Sequence, residues 1–202
     1  MTDRIQEILA DSLEVKQRFF AARSVDVKGA ASLIVESLQA SGKLLIFGNG
    51  GSAADAQHIA GELVNRFLVK RRGLPAIALT TDGGILTCIA NDTGFENIFA
   101  RQIEALGNRG DVCLAISTSG DSPNVLRACE QARAVGLKVI GLLGRDGGKV
   151  ARLCDLALIV ESSDTQRIQE THNLVGHILC ELIEAEVSEP EARATGSEKS
   201  VG

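Results

Sequence analysis

Two loops rich in glycine and hydroxyl side chains hold the residues of this chain best suited to chemistry. The first, GNGGSAADAQH over residues 48–58, sets Gly48, Asn49, Gly50, Gly51 and Ser52 ahead of a helical pattern. Glycines there allow a ligand to approach the backbone closely, and the free amides of the next helix N-terminus suit an anion. Ser52 is expected to cap that helix. The run lacks the Gly-Lys-Ser/Thr of a Walker loop and the Gly-x-Gly-x-x-Gly of a dinucleotide site, and a plain tight turn is the alternative. The second loop, ISTSGDSPN over 116–124, gathers four hydroxyls, Ser117, Thr118, Ser119 and Ser122, around Gly120. Hydroxyls donate to phosphate oxygens without adding charge, and a helix beginning near Pro123 adds its dipole. Capping by Ser122 is the alternative, but a cap needs one hydroxyl rather than four. His58 and Glu62 stand four apart on the first-loop helix, hence on one face. An imidazole and a carboxylate so spaced suit a borderline divalent cation such as zinc, or else simply meet at the surface.

The elements that must position these loops are legible as alternating patterns. Short β-rich runs, KLLIFG (43–48), PAIALT (75–80), DVCLAIS (111–117), LKVIGLLG (137–144) and DLALIV (155–160), alternate with helix-like segments. Each is nearly continuously apolar, as strands covered on both faces are. The alternation implies an α/β fold: a three-layer, flavodoxin-like sandwich with a five-stranded parallel sheet built from right-handed crossovers. Ligands in such sheets bind beyond the carboxyl ends of the strands, where both loops fall. Helical spacing of Ile5, Ile8, Leu9, Leu13, Phe19 and Phe20, and a second pattern over about 27–40, predict two leading helices. A long helix is expected from Gln166 to Val187. The single domain is thus 1–187, with a helical extension over about 1–40, and the polar 188–202 is expected to be a disordered tail.

Composition narrows the partners. The chain has 202 residues, 45% hydrophobic and 23% charged, as in an ordinary globular domain. A net charge of −5, no Trp or Tyr and six Phe argue against a nucleic-acid partner, while a local nest of donors can still hold a small phosphate. Five scattered cysteines, an odd count without a Cys-x-x-Cys pair, read as buried reduced thiols. The charged N-terminus has no apolar signal core and no run is long enough to span a membrane, so a cytoplasmic location is expected.

With both loops in view, the sequence resembles the sugar isomerase (SIS) domain family and, within it, the phosphoheptose isomerases. The stretches GNGGSAADAQHIAGEL, ALTTDGGILTCIANDTGFENIF, GDVCLAISTSGDSPNVL and RIQETHNLVGHIL carry the likeness, over about residues 1–187. It implies conversion of sedoheptulose 7-phosphate to D-glycero-D-manno-heptose 7-phosphate, supplying ADP-heptose for lipopolysaccharide or another surface glycan. It also implies one zinc ion per subunit on His58, Glu62, Gln169 and His177, and a homotetramer with sites between subunits. By the same likeness Asn49, Gly50, Gly51 and Ser52 line the substrate, and Asn91 and Asp92 contact sugar hydroxyls. Ser117, Thr118, Ser119 and Ser122 hold the phosphate, Gln169 touches metal and substrate, and Glu62 and His177 transfer protons.

The implied chemistry is coherent. An aldose–ketose isomerisation through an enediol needs a base between C1 and C2, for which Glu62 serves. It needs a second group between O1 and O2, for which an imidazole at His177 serves, and a cation or donor for the oxyanion. One geometric problem stands out. Gln169 and His177 are separated by about 12 Å of helix rise, too far to meet one ion on a regular helix. Either Gln169 lies at or before the helix start, or the two come from different subunits. His172 is expected to be a partly exposed helix or interface residue, Asp55 to orient neighbours in the first helical turn, and Asp82 to sit in a turn. Arg66, Lys70, Arg71 and Arg72 are expected to form a solvated basic cluster. Two other functions share the loops: a non-catalytic tetramer that binds the bacterial replication initiator, and a sugar-phosphate sensor. In the family such binding proteins typically lack the acid and second histidine found here as Glu62 and His177.

Overall fold

The computed structural model describes the backbone of residues 2–196 and the side chains of residues 3–188. Where two leading helices are expected there is one, α1 (Thr2–Gln39). Val15, Phe19, Val27, Ala30, Ile34 and Leu38 are buried along it. The step from Phe19 to Val27 covers a little over two turns, so the apolar stripe runs straight through the intervening polar residues and nothing there breaks the helix.

The five strands are β1 (Leu44–Gly48), β2 (Ala76–Ala78), β3 (Val112–Ser117), β4 (Lys138–Gly144) and β5 (Leu156–Val160). They form one parallel sheet in the order β2-β1-β3-β4-β5. Between and after them come α2 (Gly51–Val64), α3 (Gly83–Thr93), α4 (Ala100–Leu106), α5 (Pro123–Ala134) and α6 (Thr165–Gly196). Side chains alternate across the sheet. Leu44 and Ile46 pack with α1, α2 and α6, while Leu45 and Phe47 pack with α4 and α5. The α/β architecture and the parallel sheet read from the sequence are therefore present. The strand order reverses at β1, whose neighbours are β2 and β3, and this opens the crevice at the strand ends where a ligand belongs.

α6 outruns its expected end: the backbone is helical to Gly196, so the expected tail is helical in its first half, and residues 197–202 lie outside the described residues. The cysteines are all free. Cys113, Cys129 and Cys180 are buried and Cys154 partly so, but Cys88, against expectation, is exposed on α3. Burial pushes the Cys154 and Cys180 thiols up to about 12, so both stay protonated and inert. Among the described residues no helix is long and apolar enough to cross a membrane.

His172 differs most from expectation, for it is wholly buried. It shares the inner stripe of α6 with Ile168 and Val175 and reaches the end of β4, where its Nε2 lies 3.1 Å from the Leu143 carbonyl. That nitrogen must therefore carry the proton and donate, while Nδ1 has no hydrogen-bond partner among the described residues. Burial, only partly offset by the Leu143 bond, depresses the pKa from 6.5 to about 4. As pH falls the unfolded chain takes up this proton first, so stability present above pH 6.5 drains away towards pH 4. The loss amounts to on the order of 3 kcal/mol. In urea denaturation followed across that window, His172→Gln is expected to flatten the slope of stability against pH by about 1.4 kcal/mol per unit. An unchanged slope would assign the acid sensitivity elsewhere.

Candidate functional site

The two strand-end loops meet in the crevice between β1 and β3. Asn49, just past β1, and Asn124, in the first turn of α5, exchange side-chain hydrogen bonds of 2.9 and 2.8 Å. This reciprocal amide pair locks the loops together. The N-cap position of α2 belongs to Gly50, with no side-chain cap. Ser52 is thus not the cap: it lies inside the first turn, buried, its amide donating to the Asn49 carbonyl at 3.0 Å.

In the second loop the hydroxyls face one another. Ser117 Oγ lies 3.3 Å from Ser122 Oγ and 3.5 Å from Ser119 Oγ, and it accepts from the Gly120 amide. Ser122 occupies the N-cap position of α5 yet caps nothing with its side chain. Its hydroxyl turns inward to Ser117, so capping does not explain it. Thr118 flanks the cluster, half-buried. Gly120 has φ of +67°, and a Cβ there would meet the Gly147 carbonyl oxygen at 2.1 Å. The loop is therefore braced from behind by the turn after β4. The result is a compact set of uncharged donors beside a helix N-terminus, chemistry that suits a phosphate.

The remaining candidates lie along the seam between α2 and α6. Both helices follow parallel strands on one sheet face, so they run side by side in the same direction. A Cβ on Gly51 would meet Gln169 Nε2 at 2.5 Å, and one on Gly176 would meet Ile59 Cδ1 at 2.9 Å. Glycine at these two places lets the helices close. The polar residues then pair level by level. Gln169 stands at the first loop, Asp55 faces the Asn173 side chain, and His58 meets His177 with 2.8 Å between their Nε2 atoms. Glu62 Oε1 lies 3.8 Å from His58 Nε2. Burial raises the Asp55 pKa, against the Asn173 side chain and the two nearby imidazoles.

Glu62 and His177 thus both approach the His58 imidazole. Gln169 does not join them. It sits in the second turn of an unbroken α6, which removes the option of a place at or before the helix start. His58, Glu62 and His177 are of the N and O donor types that zinc accepts, but among the described residues no group of three or more His, Cys, Asp or Glu side chains is placed to hold a metal ion. Asn91 and Asp92 are exposed near the end of α3, bonded to each other at 2.9 Å and, among the described residues, to neither loop. Asp82 caps α3, accepting from the Ile85 amide.

Several residues escaped the sequence reading. Arg71, assigned to a solvated cluster, has a side chain only 2% exposed and pairs with Glu184, itself 3% exposed. Phe67 stacks on the His177 ring with centroids 5.7 Å apart. The signal was the acidic Glu184 on the inner stripe of α6, two turns beyond His177, where an unpaired carboxylate could not stay.

Comparison with known proteins agrees with this fold. A family model described as the SIS domain matches residues 8–144. The phosphoheptose isomerase of Trichlorobacter lovleyi is 54% identical over 184 residues, covering 91% of this chain and 94% of that protein. That of Aquifex aeolicus is 51% identical, covering 94% and 99%. The structure of phosphoheptose isomerase from Neisseria gonorrhoeae superposes with a TM-score of 0.87 at 43% identity, covering 91% of this chain and 98% of that one. With a coherent site on the expected scaffold and likeness running along nearly the whole chain, the protein belongs to the SIS domain family and, within it, to the phosphoheptose isomerases, and it is an isomerase.

Proposed function

We propose that the enzyme interconverts sedoheptulose 7-phosphate and D-glycero-D-manno-heptose 7-phosphate through an enediol. The observation that carries the reading is the meeting of His58, His177 and Glu62 on the α2–α6 seam. Glu62 is the base that moves the proton between C1 and C2. His177 moves the proton between O1 and O2, its ring oriented by His58 on one edge and Phe67 on one face. The hydroxyls of Ser117, Thr118, Ser119 and Ser122 take the phosphate. Asn49, Gly50, Gly51 and Ser52 line the sugar, Asn91 and Asp92 meet its hydroxyls, and Gln169 faces it from beside Gly51. His58, Glu62 and His177 would hold a zinc ion, with Gln169 contributed from a second subunit. When bound, such an ion polarises the substrate carbonyl and steadies the oxyanion.

The helix geometry supports a site shared between subunits. From Gly51 to Glu62 the axis of α2 rises about 16 Å, more than an extended seven-carbon sugar phosphate covers. A sugar lying along the α2 axis of a single chain would therefore fall short of spanning Gly51 to Glu62. A homotetramer that brings these halves together from different chains resolves this, and the apolar side chains of Ile5, Leu9, Leu13 and Phe95, all about half or more exposed, support such contacts. The same reading places the enzyme in the cytoplasm, supplying heptose for ADP-heptose and lipopolysaccharide.

Glu62→Gln and His177→Gln are each expected to lose at least ~10²-fold in turnover on sedoheptulose 7-phosphate while phosphate affinity is largely kept. Near-full rate in either variant would remove that residue from the chemistry. Chelator treatment is expected to lower the rate, and zinc to restore it. A protein without isomerase activity in either condition would instead be a binding protein or a sensor.

Gly51→Ala probes the place where Gly51 and Gln169 meet. The new methyl displaces a flexible side-chain end rather than backbone, so stability should fall by no more than about 1 kcal/mol. Calorimetric affinity for the sugar phosphate should fall at least several-fold, and an unchanged affinity would remove Gln169 from the substrate site.

A further inference from the structure

The connection from the end of α2 to β2 contains neither helix nor strand over residues 65–75, yet its centre is tied down more firmly than closing a loop requires. The consecutive amides of Phe67, Leu68 and Val69 all donate to the Glu184 carboxylate, at 2.9, 2.5 and 3.0 Å. Arg71 Nε lies 2.9 Å from the same carboxylate. This contact is an ion pair without an aligned hydrogen bond, so the directional bonds are those of the three amides. The Nη atoms of Arg71 donate to the carbonyls of Glu62, Leu63 and Arg72 at 2.9–3.0 Å. Burying two charges is costly unless their hydrogen-bonding capacity is met, and here it largely is. Burial alone would raise the Glu184 pKa, but the three amides and Arg71 outweigh it and hold the carboxyl below its ordinary range.

The bonds of this clasp end on both members of the proton-transfer pair. Arg71 Nη2 donates to the backbone carbonyl of Glu62. Phe67, whose amide Glu184 fixes, lays its ring on the face of His177 at an interplanar angle of 27°. His58 meets His177 at 74°, edge to face, so the imidazole is held from two sides. Glu184 stands two turns beyond His177 on the same stripe of α6, which makes one helix the reference for both the imidazole and the ring that covers it.

We propose that Arg71, Glu184 and Phe67 form a positioning device that sets the orientation of the His177 imidazole relative to Glu62. It touches neither substrate nor reacting atoms. The inference rests on the reading of Glu62 and His177 as the proton-transfer pair.

Turnover, KM and the histidine ring resonances of the full-length oligomer test it. The chain has three histidines, so their ring signals can be resolved and assigned with His172→Gln and His177→Gln. Phe67→Leu is expected to lower kcat by at least about tenfold with KM changed less than about twofold, because a tilted imidazole still binds but transfers protons poorly. Phe67→Tyr keeps the stacking face and should restore the rate. Glu184→Gln should lower kcat in the same way and, combined with Phe67→Leu, add little to it. In both Phe67→Leu and Glu184→Gln the His177 ring protons should leave the shielding of the Phe67 ring. Phe67→Leu gives the answer even where Glu184→Gln fails to fold. Unchanged kcat or unmoved His177 resonances in Phe67→Leu, alongside the losses in Glu62→Gln and His177→Gln, would overturn the device alone. Retained turnover in Glu62→Gln or His177→Gln would overturn the reading beneath it.

Discussion

The parallel docking of α2 against α6 is the constraint on which the rest depends. Neither helix carries a complete site. Glycine at 51 and at 176 removes the side chains that would hold the helices apart, and the gap then closes on Gln169 at one level and Ile59 at another. Only at that spacing do His58 and His177 come within hydrogen-bond distance of each other. The parallel sheet enforces the alignment, because both helices begin just beyond the carboxyl ends of strands that point the same way. The reversal of strand order at β1 does similar work for the two loops, leaving Asn49 and Asn124 to finish the join.

The anion chemistry follows from the use of neutral donors. A net charge of −5 offers a phosphate no general attraction. The hydroxyls of Ser119 and Ser122, each within 3.5 Å of that of Ser117, with Gly120 packed tightly on the turn after β4, concentrate donors without the desolvation cost of a buried cation. The charged groups that are buried lie elsewhere, as partnered pairs. Asp111 accepts from the Lys43 backbone amide and its ammonium, and Glu184 from three amides beside Arg71.

Much of this was legible in the sequence because it depends on local pattern. Five continuous apolar runs gave five strands, within two residues at each end, since burial on both faces leaves no other composition. The loops declared themselves through residue type. What the sequence could not convey was pairing across long separations. Arg71 reads as one of four surface cations until Glu184 is seen opposite it, and His172 reads as exposed until Leu143 is seen above it. Ser52 looks like a cap by position, but Gly50 starts the helix two residues earlier. The continuity of α1 was hidden for a different reason: helical spacing up to Phe20 and again from about residue 27 read as two helices, while the stripe that joins them is read only at every third or fourth residue.

The level-by-level pairing of α2 with α6 also limits how such a chain can change over time. A residue gained or lost between Gly51 and His58 would turn His58 by about 100° and slide it about 1.5 Å, away from His177 and into the sheet or solvent. The segments 51–58 and 169–177 can therefore vary at positions other than the paired residues and the two glycines, but not in length, unless both change together. Insertions are tolerated only outside that paired stretch, in connections such as the turns at the opposite edge of the sheet.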